Sequence, residues 1–261
     1  MRWPCSQVAL VVAAVALCGC AGLRAEPTPA GRAEAERNNG QCVAALTGGD
    51  LDTAEIFCDH ALEFAPQWGD PWANKGLIEL KRGHAAAAKA HLIKAVRLET
   101  EQAQAYNNLG YLYLEEKDYD AAQRMFERAL KVNPDYAEAR SNLALGFFRR
   151  GDWVNARKQY RTLTAVHPAL AMPHHDLGVL DVLEGKLEEA IAELKQAVRL
   201  DPSQAVLWLD LGGALDKAGQ WGDAKEAYTA CLDADPAEAR CRTYLAADVE
   251  KLHLAPVAPA P

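Results

Sequence analysis

The sequence predicts an all-α solenoid, because three kinds of residue recur every 34 positions along most of its 261 residues. In blocks beginning at Ala35, Gly69, Ala103, Ala137, Ala171 and Ala205, position 20 is Ala54, Ala88, Ala122, Ala156, Ala190 and Ala224. Position 8 is small throughout: Cys42, Gly76, Gly110, Ala144, Gly178 and Gly212. Position 32 is Pro66, Pro134, Pro168, Pro202 and Pro236, with Thr100 as the exception.

Helix-pair packing accounts for the pattern. Small residues at positions 8 and 20 let two antiparallel helices approach, and the large residues at position 24 (Leu92, Phe126, Tyr160, Leu194, Tyr228) fill the space beside them. Proline at position 32 ends the second helix and turns the chain into the next unit. The repeats so defined are 35–68, 69–102, 103–136, 137–170, 171–204 and 205–238. An amphipathic stretch over 239–254 is expected to be a capping helix that seals the last repeat, and the tail 255–261, APVAPAP, to be disordered. The first repeat departs furthest, with Asn38 and Gln41 at usually apolar places, and Lys75 stands at position 7 of the second; atypical terminal units suit a capping role.

Ahead of the repeats, Arg2 is the only charged residue of 1–19, and the apolar run Val8–Leu17 is about half the ~20 residues that span a bilayer as a helix. Residues 1–19 therefore read as an export leader. Leu17-Cys18-Gly19-Cys20 resembles the bacterial lipobox, which implies a diacylglycerol on the Cys20 thiol and an N-acyl chain on its amine; the other reading is an ordinary leader cut near Ala21. In that class of signals Ala21, not being Asp, implies transfer to the outer membrane, at its periplasmic face. Two or three acyl chains at ~0.8 kcal/mol per methylene make a stable anchor. Residues 20–34, with Pro27 and Pro29, read as a flexible lipidated tether.

The formal charge of −8, or −9 without Arg2, argues against a protein that neutralises nucleic-acid phosphates, and there is no Lys/Arg block. No nucleic acid is expected as partner. No GxSxG, Walker loop, HExxH or paired-carboxylate cleft is present, so no enzyme activity and no catalytic residue is expected.

The block from Ala105 to Tyr136, with Tyr106, Leu109, Gly110, Tyr113, Ala122, Phe126, Ala129 and Pro134, resembles the tetratricopeptide repeat, and the likeness extends over 35–238. That resemblance implies a right-handed superhelix of six helix-turn-helix units whose first helices line a concave groove through positions 2, 5, 6, 9, 12 and 13. The expected partner-binding residues are Asn74, Asn108 and Asn142, whose amides could bond an extended peptide, or else serve the fold itself. Leu77, Tyr111, Leu145 and Val179 at position 9 and Leu80, Leu114 and Phe148 at position 12 are the expected apolar floor, with His175 beside them. The Lys/Asn clamp by which some members hold a terminal carboxylate is missing, since Asn39 and Val43 occupy its places.

Export would put the remaining cysteines in an oxidising compartment. Cys42 and Cys58 face each other across the first helical hairpin and Cys231 and Cys241 across the last, so disulfides Cys42–Cys58 and Cys231–Cys241 are expected; four buried thiols are the alternative. Their spacing fits no zinc motif, and adjacent His174 and His175 diverge on a helix, so neither metal nor cofactor is expected. Trp72 and Trp208, both at position 4, are expected in the core.

A lipobox followed by six such repeats resembles the pilotins of type IV pili, lipoproteins that help the secretin reach the outer membrane and form its ring. The resemblance implies a secretin or another envelope-machine subunit as partner and a role in pilus biogenesis and motility. The alternative is a scaffold lipoprotein of a gliding-motility or cell-wall complex.

Overall fold

The structure, a computed structural model, describes residues 28–98 and 100–254. The expected leader, Cys20 and the tail 255–261 lie outside the described residues. Those described form thirteen helices and no strand. The first repeat is α1 (Pro29–Gly48) and α2 (Leu51–Phe64), the second α3 (Gly69–Lys81) and α4 (Ala85–Arg97), and the third α5 (Ala103–Glu115) and α6 (Tyr119–Val132). The fourth is α7 (Ala137–Arg149) and α8 (Trp153–Val166), the fifth α9 (Ala171–Leu183) and α10 (Leu187–Leu200), and the sixth α11 (Ala205–Lys217) and α12 (Trp221–Ala234). Helix α13 (Ala239–Leu254) packs on α12 and α11 and closes the stack.

One expected boundary moves. Helix α1 begins at Pro29, inside the stretch read as tether. The Thr28 hydroxyl caps it by accepting from the Gly31 amide at 3.1 Å. Proline at the first helical position has no amide to leave unsatisfied, so here it starts a helix instead of breaking one.

Within each repeat the turn is set by position 15, which takes a positive φ in all six: Gly49, Gly83, Gly151, Gly185 and Gly219, and Lys117 at 62°. The second helix starts on an aspartate cap in three repeats, where Asp50, Asp118 and Asp152 each accept from the amide three residues on. The pair at positions 8 and 24 sets helix separation. A Cβ placed on Gly110 would lie 2.6 Å from Phe126, and one on Gly212 would lie 2.5 Å from Tyr228, so the ring occupies the space that glycine vacates. In the first repeat the same two positions are Cys42 and Cys58, joined as a disulfide with Cα atoms 5.4 Å apart.

Between repeats two contacts recur. Position 4 donates to the carbonyl of the proline six residues earlier: Trp72 Nε1 to Pro66 (3.3 Å), Arg140 Nη2 to Pro134 (2.8 Å), Trp208 Nε1 to Pro202 (2.9 Å) and Arg242 Nη2 to Pro236 (2.7 Å). Trp72 and Trp208, expected in the core, pack against its edge half-buried, because the indole N–H must reach a carbonyl at the surface. The second contact sets position 27 against position 3 of the next repeat. Ala95 meets Ala105, Ala129 meets Ala139 and Ala197 meets Leu207 within shared core clusters. At the last junction the same pair is Cys231 and Cys241, a second disulfide with Cα atoms 6.3 Å apart.

Ion pairs add a register. Position 21 of one repeat pairs with position 14 of the next: Glu55 with Arg82 (2.6 Å), Lys89 with Glu116, and Arg157 with Glu184 (3.1 Å). The signs reverse between the first and second of these junctions, and Arg157 keeps the polarity of Lys89, so a slip that set Glu55 against Glu116 would bring like charges together.

Candidate partner-binding groove

The first helices form the inner row. Among the described residues α1 touches α3, α3 touches α5, α5 touches α7, α9 touches α11 and α11 touches α13, whereas no two second helices make comparable contact. A stack whose first helices are crowded and second helices spread apart is concave on the first-helix side. The α7–α9 pair alone among successive first helices falls short of that contact.

Along the inner row, position 6 of one repeat bonds position 5 of the repeat before it. Asn74 donates to Asn39 Oδ1 at 2.9 Å, Asn142 donates to Asn107 Oδ1 at 2.9 Å, and His175 Nε2 meets Asp210 Oδ2 at 2.7 Å. Asn107 passes the chain on to Glu138 at 2.9 Å. Asn74 and Asn142, expected to meet a peptide, are therefore committed to joining repeats, and Asn74 is buried. Asn108 has Ala73 opposite it at position 5, which offers no side-chain acceptor, so its amide is not used to join the two repeats.

His175 is likewise a correction. It is buried, not groove-lining, and sits between Asp176 (3.2 Å) and Asp210. Burial opposes its charge, but the two carboxylates outweigh burial and its pKa is pushed up to about 9, so it is an imidazolium at neutral pH. His174 pairs with Glu193 at 2.7 Å. Burial, with the charge of Asp176, pushes the Tyr160 phenol upward as well.

The apolar floor divides. Leu114 is fully buried among Phe126, Leu143 and Tyr160 and is core. Leu77, Leu80, Leu145 and Phe148 are half-buried, each packed on a core cluster with one side left open, and Val179 is half-buried. Tyr111 is 45% exposed and stands three residues from Asn108 on the same helix face. Val43, Met172, Leu183 and Val206, also at groove positions, are exposed apolar side chains outside the expected floor.

Where α7 and α9 part there is a cleft of about 520 Å³, lined by Glu138, Asn142, Leu163, Leu170, Met172, Pro173, Leu200 and Asp201 among others. The readable signal was Leu163, which occupies position 27 where the other repeats have Ala61, Ala95, Ala129, Ala197 and Cys231.

Tetratricopeptide-repeat family models match residues 103–136 and 182–247. The chain carries tetratricopeptide repeats. A search of curated protein sequences gives no match. Among solved structures, this tetratricopeptide-repeat chain is similar to PilF of Pseudomonas aeruginosa, at 17% identity with a TM-score of 0.71 over 83% of this chain and 99% of that one. It is also similar to YrrB, described as having an unusual peptide-binding site (20% identity, TM-score 0.59, 71% and 96% of the two chains). A third is MamA of Desulfovibrio magneticus (22%, 0.58, 65% and 96%). At these identities the likeness establishes the superhelical fold. Tetratricopeptide repeats form interaction scaffolds, and the inner row with its half-open side chains is the candidate surface for a partner.

Proposed function

We propose that this chain is an outer-membrane lipoprotein, anchored by acyl chains on Cys20, whose groove takes a segment of an envelope protein and so assists assembly of the secretin ring of a type IV pilus. The observation that carries the reading is its end-to-end correspondence with PilF, which the repeats match over nearly all of that chain, combined with the lipobox-like LCGC at 17–20. Thr28, the helix cap, lies eight positions after Cys20, a span of eight Cα-to-Cα steps. Fully extended they reach about 28 Å, so the first repeat would sit close to the bilayer and the later repeats would project from it. Asn108, Tyr111, Leu145 and Phe148 are the residues offered to the secretin segment, and the polar-plus-apolar mixture suits an extended strand with alternating side chains.

Deleting the gene in its native host is expected to leave secretin as monomers, read as loss of the heat-resistant multimer on gels, and Cys20→Ala to release the chain from the outer membrane. Normal multimers in the deletion strain would overturn the pilus assignment. A second reading is a scaffold for a gliding-motility or cell-wall complex, since YrrB and MamA share the fold as PilF does and the fold alone does not select the machine. Under it, pull-down with the lipidated chain returns that complex while secretin rings stay intact.

A further inference from the structure

We propose that the cleft between the fourth and fifth repeats is the specificity pocket of the groove, and that it receives a large apolar side chain of an extended partner segment whose neighbouring residue is Lys or Arg. The inference rests on the groove-binding reading above and adds the chemistry of the segment.

The cleft arises from the sequence. At the other junctions a small side chain stands at position 27, against Ala105 after Ala95 and against Ala139 after Ala129. At this one Leu163 stands against Pro173, and both line the opening. Two bulky groups stand where the second and third junctions close on paired alanines, and here the inner-row contact, between α7 and α9, is weakest. At about 520 Å³ the space falls within the ~300–1,000 Å³ of small-ligand pockets and has room for one or two large side chains. Its mouth carries Leu170 and Met172, each 40% exposed, and a thioether adapts to varied shapes.

The charge on the rim selects the neighbour. Glu138 and Asp201 are its two acidic residues, and no Lys, Arg or His lines it among the described residues. Neither carboxylate has a cationic partner. Glu138 accepts from the Asn107 amide at 2.9 Å and the Tyr136 hydroxyl at 3.2 Å. Asp201 accepts from Ser203 N and Oγ and from Gln204 Nε2. An acidic neighbour on the segment would be repelled by both, whereas a Lys or Arg would pair without displacing an existing ion pair.

Selection of random displayed dodecapeptides on the full chain tests this, followed by measured affinities of the synthetic winners. The expected consensus is Leu, Ile, Phe or Met next to Lys or Arg. Met172→Lys and the near-isosteric Glu138→Gln, each checked for an unchanged helical melt, should weaken binding about tenfold, and affinity should fall with added salt. Peptides that bind through Tyr111, losing affinity on Tyr111→Ala but not on Met172→Lys or Glu138→Gln, overturn the pocket and leave groove binding standing. A consensus pairing the apolar residue with Asp or Glu also overturns it. If the wild-type chain enriches no peptide, the pocket and the groove-binding reading both fail.

Discussion

The fourth and sixth junctions use the same two repeat positions in opposite ways. At the sixth, Cys231 at position 27 and Cys241 at position 3 are covalently joined, and α13 is drawn onto the last repeat. At the fourth, Leu163 and Pro173 fill those places and the inner row opens. One architectural slot is therefore a staple at the end of the solenoid, where fraying starts, and a spacer in its middle, where a ligand needs room. Breaking the staple gives the largest effect. Replacing Cys231 and Cys241 by Ala frees a ten-residue separation, and the chain-entropy estimate puts the cost at about 3 kcal/mol. Chemical denaturation of the double variant should show this loss, with early exchange of amides in α12 and α13 and little change at the fourth junction. Exchange that spreads evenly over the whole chain would mean the staple does not act locally.

Between these two lies the fifth junction, tied by charge instead of covalency or bulk: His175 of the fifth repeat is held by Asp176 and by Asp210 of the sixth. The folded pKa of about 9 lies above the ordinary imidazole value of 6.5. A raised basic pKa means that the folded state binds the proton more tightly, so the contribution is full below about pH 6.5 and is lost as pH rises through about 9. Tyr160, which bonds Asp176, has its pKa pushed upward and stays neutral over that window. His175→Gln keeps a donor for Asp210 without the charge. Its stability deficit against the wild type is expected to be about 2 kcal/mol at pH 6 and to shrink toward zero by pH 10. A deficit that is the same at both pH values would show that the imidazole is held as a neutral donor.

Most of the fold was legible because a tetratricopeptide hairpin is written in local, repeating steric requirements. Gly110 under Phe126 and Pro134 after α6 each act within one period, and a period can be counted. What failed depended on neighbours one repeat away. Asn142 and Asn108 look alike in sequence, yet one bonds Asn107 and the other faces Ala73, so only the residue 35 positions earlier decides which is free. Leu114 and Tyr111 lie on one helix, but a three-residue step carries the first into the core of the next repeat and leaves the second in the groove. Pro29 was read as a breaker because its meaning turns on the Thr28 cap. Leu163 was visible as a departure from alanine, but its consequence required knowing that position 27 meets position 3.

That last pairing can be tested by moving the spacer. Ala129 and Ala139 are fully buried against one another at the third junction, in the cluster that also holds Tyr106. Ala129→Leu puts the side chain of Leu163 into the equivalent place one repeat earlier, with no void to receive it. Overpacking of this kind costs about 1–2 kcal/mol, the smallest of the three effects. If bulk at position 27 is what opens the inner row, the cost should come with a specific structural change. Amides at the start of α7, from Ala137 to Asn142, should exchange faster, and the hydrogen bond from Asn142 to Asn107 should weaken as α5 and α7 separate. Amides around Cys231 and Cys241 should be unaffected, since each repeat contacts only its neighbours. A variant that loses stability without that local loosening would show that a leucine at position 27 is accommodated by side-chain repacking alone and does not by itself open the inner row.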